Sequence, residues 1–158
     1  HCNQMKIFFA SDHAGFALKN ELVSYLKDKH EVTDCGAFEY DENDDFTTWI
    51  PKAVEGVVKD TMSGIVSKAV ILGGSGEGEA MAANRFEGIR ATTYYGGDKK
   101  ILELSEEHNN ANVLSLGARF LSTEEAKEAV DIWLAATFKG DEKYERRNEA
   151  LDTMPDIV

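Results

Sequence analysis

Three short stretches carry residue types that could do chemistry: "SDHAG" (Ser11–Gly15), "GGSGEGEAMAANR" (Gly73–Arg85) and "HNNANVLSLGAR" (His108–Arg119). The middle one poses the sharpest question. Gly73, Gly74, Gly76 and Gly78 make four glycines in six residues, the composition of a loop whose N–H groups approach an anion, yet Glu77 and Glu79 stand within it. A P-loop needs a lysine and a Ser/Thr directly after its last glycine. Gly73 and Gly78 keep the spacing, but Glu79-Ala80 follow. A dinucleotide fingerprint follows the first strand and has glycine where Glu79 stands. Both templates fail.

What survives is a run of free N–H groups leading into a helix expected to start near Glu79. Aligned N–H dipoles stabilise negative charge. A carboxylate held ionised beside them is a Brønsted base. Base and anion stabiliser side by side are what proton abstraction next to a carbonyl requires, because the N–H groups can hold the enediolate oxygen that forms. The plainer reading is that Glu79 is a helix N-terminal acid favoured by the dipole. Asp12 and His13 could likewise meet a sugar hydroxyl and a phosphate, or be a capping Asp beside a surface His. His108 could open a sugar ring by acid–base work, with Asn109 beside it, or the pair could lie in a polar turn. Arg119 and the cations of "KYERR" (Lys143, Arg146, Arg147) are phosphate ligands or a solvated face. His13, His108 and Cys35 lack metal-ligand spacing, so no metal is expected.

These residues must be positioned by elements, and the elements alternate. Apolar, β-rich runs occur at Lys6–Ser11, Glu31–Gly36, Lys68–Gly74, Ile89–Tyr95 and Asn112–Gly117. Between them lie stretches of helical period. Leu18, Leu22, Tyr25 and Leu26 share one face, as do Ile50, Val54, Val57 and Val58. A shorter helix is expected over 98–108. Another begins at an N-cap Thr123 and buries Ala126, Val130, Trp133, Leu134 and Phe138. The charged tail from Lys139 reads as a last helix. Strand–helix alternation predicts a parallel sheet covered on both faces. Ligands of such sheets bind at the carboxyl ends of the strands. That rule points to Asp12–Gly15, residues 41–46, the glycine loop, Gly96–Asp98 and Gly117–Arg119.

The bulk numbers narrow the function classes. The chain has 158 residues, 42% of them hydrophobic and two of them proline, as expected of one domain over 5–158. Acidic residues outnumber basic ones 29 to 17, for a net charge of −12. That balance argues against nucleic acid or an anionic membrane surface as partner. A small anion needs only a few local cations and N–H groups. No apolar run approaches the roughly 18 residues a membrane span requires, no signal-peptide pattern is evident, and His1–Gln4 read as a leader remnant ahead of a plausible start at Met5. Cys2 falls in that leader, which leaves Cys35 as the only cysteine of the body and a reducing cytoplasm as the expected location.

Taken together, "SDHAG" with Leu18-Lys19, "GGSGEGEAMAANR" followed by "GIRA", and "HNNANVLSLGAR" resemble the type B ribose-5-phosphate isomerases and the related galactose-6-phosphate isomerase subunits, over Met5 to about Leu151. The resemblance implies a Rossmann-like α/β/α sandwich with a five-stranded parallel sheet and a C-terminal helix. It implies a homodimer whose active sites borrow residues across the interface, and leaves open whether dimers pair into tetramers. The implied reaction is aldose–ketose isomerisation of a small phosphorylated sugar through a cis-enediol, without metal or cofactor. Many members use a cysteine that corresponds to Gly73, so this chain resembles the glutamate-base branch that includes the mycobacterial enzymes. That branch implies Glu79 as base and Ser75 as the hydroxyl that moves protons between substrate oxygens. Asp12 would bind the ring, and His108 would assist its opening. Asn109 and the N–H groups of Gly74, Gly76 and Gly78 would hold the enediolate. His13, Arg119, Lys143 and Arg147 would bind phosphate, some from the partner subunit.

Several departures from the pattern bear on the substrate. Lys143-Tyr144 replaces Arg-His, Phe46 replaces a common tyrosine, and Thr47 replaces a proline. Glu77 is unusual and is expected to raise the pKa of Glu79. Another sugar phosphate of tetrulose or hexose size therefore remains an alternative. So do a flavodoxin-like or nucleotide-binding module and a catalytically dead sugar-phosphate sensor.

Overall fold

The computed structural model describes residues 4–154. Residues 1–3, with Cys2, and the last four residues lie outside them. Five strands, β1 (Lys6–Ser11), β2 (Glu31–Asp34), β3 (Lys68–Gly73), β4 (Ala91–Tyr94) and β5 (Val113–Gly117), form one parallel sheet in the order β2-β1-β3-β5-β4. The helices are α1 (Phe16–Leu26), α2 (Phe46–Met62), α3 (Glu77–Ala83), α4 (Lys100–Glu107), α5 (Thr123–Ala135) and α6 (Glu142–Asp152). A 3-10 turn, His13–Gly15, leads into α1.

Period-two alternation sorts the strand side chains to opposite faces of the sheet. Ile7, Phe9, Val70, Leu72, Leu114 and Leu116 pack with Leu18 and Leu22 of α1 and Val130 and Trp133 of α5. Ala10, Ala69, Ile71 and Val113 pack with Ile50, Val54 and Val57 of α2 and Ala83 of α3. The result is the expected three-layer α/β/α sandwich. β3 lies at its centre and is buried at all six residues. A fully covered parallel strand has no solvent face, which is why this run is continuously apolar after Lys68.

Several expected boundaries move. β2 ends at Asp34 and, as an edge strand, alternates exposed and half-buried residues rather than being wholly apolar. β4 begins at Ala91, because Ile89 is held in a turn by its N–H bond to the Phe86 carbonyl. The N-cap of α5 is Ser122, not Thr123. Ser122 Oγ accepts the Glu125 N–H at 3.1 Å and the Glu125 carboxylate accepts the Ser122 N–H at 2.9 Å, a reciprocal capping box. Phe138 lies beyond the end of that helix at Ala135 and is only half-buried. No helix among the described residues is long and apolar enough to cross a membrane.

Candidate active site

The carboxyl ends of β1, β3 and β5 gather one group of the expected residues. β3 runs into the glycine loop, and α3 starts at Glu77, two residues before the expected position. The reason is Gly76, whose left-handed φ of 81° turns the chain into the helix. A Cβ there would also press on the Leu116 backbone at about 3.0 Å. An L side chain is therefore excluded on two counts. Ser75 Oγ accepts the Glu77 N–H at 3.2 Å. Ser115 Oγ, fully buried, donates to the Gly76 carbonyl at 2.6 Å and ties the loop to β5.

Glu79 is 5% exposed. Its carboxyl group lies against the Cα of Gly73, and a Cβ on residue 73 would fall directly on it. The absence of a side chain at position 73 thus makes the space that the Glu79 carboxylate fills. Burial pushes the Glu79 pKa up, the N–H groups of Glu79 and Gly76 oppose that rise, and the Asp12 charge adds to it. The like charge is Asp12 and not Glu77, contrary to the sequence expectation. Glu77 points to solvent, where water screens it, while Asp12 is only 8% exposed.

Asp12 Oδ1 accepts the Ala14 N–H at 3.0 Å, so it does cap the 3-10 turn while standing near Glu79. His13 is gripped by Asp44, a residue the sequence reading did not single out, although it marked 41–46 by position. Asp44 Oδ1 lies 2.7 Å from His13 Nδ1 and accepts the His13 backbone N–H at 3.0 Å. That hydrogen bond raises the His13 pKa above the ordinary 6.5; burial and Arg119 oppose the rise, and the Asp12 and Asp44 charges add to it. Asp12, His13 and Asp44 present potential metal-ligand atoms within 4.8 Å of one another, a grouping that sequence spacing did not disclose. Those donors are largely engaged with each other and with backbone N–H groups. Arg119 follows β5, its N–H bonds the Gly74 carbonyl at 3.0 Å, and its guanidinium lies over Gly74. The Phe46 ring packs on Gly78.

His108, Asn109, Lys143 and Arg147 form a second group elsewhere. His108 stacks on Tyr144 with centroids 4.4 Å apart and planes at 17°, and Lys143 Nζ lies 5.0 Å from the same ring. Asn148, buried on α6, donates to the His108 carbonyl at 3.0 Å and accepts from Asn109 Nδ2 at 3.3 Å. Arg147 and Lys143 are exposed on α6. Arg90 binds both Asp152 oxygens at 2.7 and 2.8 Å and pins the far end of that helix. These residues sit at the amino end of β5. The parallel register pairs Gly117 with Gly73 at one end and Val113 with Ala69 at the other, and His108–Asn109 precede Val113. A five-residue strand rises about 16 Å. Within one chain the two groups therefore lie at opposite ends of the strands.

A family model described as Ribose/Galactose Isomerase matches residues 7–151. The chain belongs to the ribose/galactose isomerase family. Among curated relatives, ribose-5-phosphate isomerase B of Mycolicibacterium paratuberculosis is 34% identical over 148 residues, covering 93% of this chain and 89% of the relative. The Escherichia coli enzyme of the same name is 36% identical over 147 residues, covering 92% and 93%. The crystal structure of Mycoplasma genitalium ribose-5-phosphate isomerase B with bound ribulose-5-phosphate superposes with a TM-score of 0.85 at 33% identity, covering 96% of each chain. The isomerase family is thus the one whose motifs the sequence displays.

Proposed function

We propose that this chain interconverts ribose 5-phosphate and ribulose 5-phosphate through a cis-enediol, with Glu79 as the general base. The observation that carries the reading is the buried Glu79 carboxyl over Gly73, beside the loop N–H groups at the end of the central strand. Family membership and the relatives' printed activity support the choice of sugar. In the open-chain aldose, Glu79 takes the proton from carbon 2 while the carbonyl oxygen on carbon 1 gains one. The N–H groups of Gly74, Gly76 and Gly78 stabilise the developing oxyanion. Ser75 relays a proton between the two oxygens, and Glu79 returns its proton to carbon 1, so nothing is gained or lost. Asp12 binds the ring form. His13 and Arg119 hold the phosphate.

His108 and Asn109, assigned to ring opening and the enediolate, cannot reach the Glu79 of their own chain. The functional unit in this reading is a homodimer in which one protomer's His108, Asn109, Lys143 and Arg147 complete its partner's site. Tetramers built from such dimers fit equally well. A cytoplasmic location completes the reading, in keeping with the free thiol of Cys35. Phe46 on Gly78 gives the loop an apolar neighbour where a phenol is common in the family, which keeps a tetrulose or hexose phosphate as the alternative substrate.

Proton NMR of ribose 5-phosphate with the protein in deuterated water tests the reaction. Ribulose 5-phosphate carrying deuterium at carbon 1 is the expected product. No product and no exchange would overturn the choice of sugar, and the same assay with tetrose and hexose phosphates would then decide the substrate.

A further inference from the structure

The loop from β2 to α2 contains the acidic run Asp41-Glu42-Asn43-Asp44-Asp45. Such a run ordinarily forms a solvated surface. Here one of its acids turns inward. Asp41 folds back on the Asn43 N–H at 2.9 Å, Asp45 precedes α2, and both are exposed. Only 9% of the Asp44 side chain is exposed. Its Oδ1 serves both the ring and the backbone of His13, while its Oδ2 is buried without a partner. Burying a carboxylate is costly unless it is paired with a cation, so this arrangement has a chemical consequence for the ring it grips.

Because Asp44 claims Nδ1–H, Nε2 is the ring atom left for substrate. In a neutral His13 of that tautomer, Nε2 bears a lone pair and would repel a phosphate oxygen. Only the imidazolium offers an Nε2–H donor. We propose that Asp44 is the positioning residue that fixes His13 as an imidazolium with Nε2–H presented to the substrate phosphate. The inference rests on the sugar-phosphate reading above and extends it to a residue outside the binding shell.

The groups that face His13 set the balance. Asp44 and Asp12 favour the cation, the Arg119 guanidinium and burial disfavour it, and the Tyr40 ring lies edge-on at 6.3 Å. The net effect is a raised pKa, led by the Asp44 hydrogen bond. Phosphate binding through His13 is therefore present at low pH and declines as pH rises through that raised value. Removing the Asp44 charge moves the decline to lower pH.

Asp44→Asn is the clean variant. The amide oxygen keeps both bonds made by Oδ1, the amide nitrogen occupies the place of the unpartnered Oδ2, and only the charge is lost. The His13 ring-proton titration, followed by NMR in the free protein, should shift to lower pH. The ratio of KM for ribose 5-phosphate between variant and parent should reach about fivefold at the alkaline end of the profile and return to unity at the acid end, with little change in kcat. Ionisation of the phosphate itself is common to both proteins and cancels in the ratio. In a His13→Gln background, Asp44→Asn should add nothing. An unmoved His13 titration, a KM ratio independent of pH, or an undiminished effect in the His13→Gln background would each overturn the proposal. The titration is read without substrate, so it judges Asp44 even if ribose 5-phosphate proves to be the wrong sugar.

Discussion

At the scale of single residues, the chain combines two groups whose environments push them in useful directions. Glu79 must be ionised to act as a base, and burial raises its pKa above the ordinary 4.5. The acid limb of kcat/KM should therefore fall off above that value, which a pH–rate profile reads directly. Glu79→Gln should lower kcat by roughly 10²–10⁴-fold, the contribution typical of a general base, and leave KM within several-fold. Full activity in that variant would refute the assignment. The same raised pKa has a stability consequence. A group that holds its proton to higher pH when folded favours the fold below its unfolded value, and this advantage is lost as pH rises through the folded one. At neutral pH the ionised Glu79 therefore costs stability, and Glu79→Gln should raise Tm while it removes turnover. Of the residues involved, Glu79 was legible as a candidate in the sequence because a carboxylate at that position contradicts both the P-loop and the dinucleotide template. Asp44 was not. Its neighbours are four more acidic or amide residues, and nothing in the run says which one folds back onto a histidine 31 residues earlier.

At the scale of elements, the site is the junction of β3, the glycine loop and α3. The helix is short, and its start at Glu77 is set by one left-handed glycine rather than by a side-chain cap. Glu79 then falls on the first turn, facing back over the end of β3. Gly73→Ala tests this packing. The new Cβ would occupy the position of the Glu79 carboxyl, so that group must move. Displacement on the ångström scale is expected to lower kcat about a hundredfold. An unchanged kcat would show that the carboxylate does not work from its observed place. Strand and helix order were readable from period-two and helical patterns. Boundaries were less so, since Ser122 and Thr123 are both competent caps and only the geometry of Glu125 selects the first.

At the scale of the whole molecule, the sheet register separates the expected residues into a carboxyl-end group around Glu79 and an amino-end group around His108. If two chains share each site, variants defective in different groups should complement. Glu79→Gln and His108→Gln homodimers should each be nearly inactive. Unfolded together and refolded, they should recover about a quarter of parental activity, because half the dimers are mixed and each mixed dimer has one intact site. No recovery, with mixed dimers shown to form, would exclude sharing of these residues. The sequence by itself determined the fold class and the family and, through the family resemblance, nominated Glu79 as base, because strand–helix periodicity and a glycine loop with a misplaced carboxylate are local patterns. Only the tertiary structure decided that Gly73 makes room for Glu79, that Asp12 rather than Glu77 is its charged neighbour, that Asp44 grips His13, and that His108 lies at the other end of the strands. Those are facts of distance between segments remote in sequence. Chain folding sets such distances, and no spacing along the chain records them.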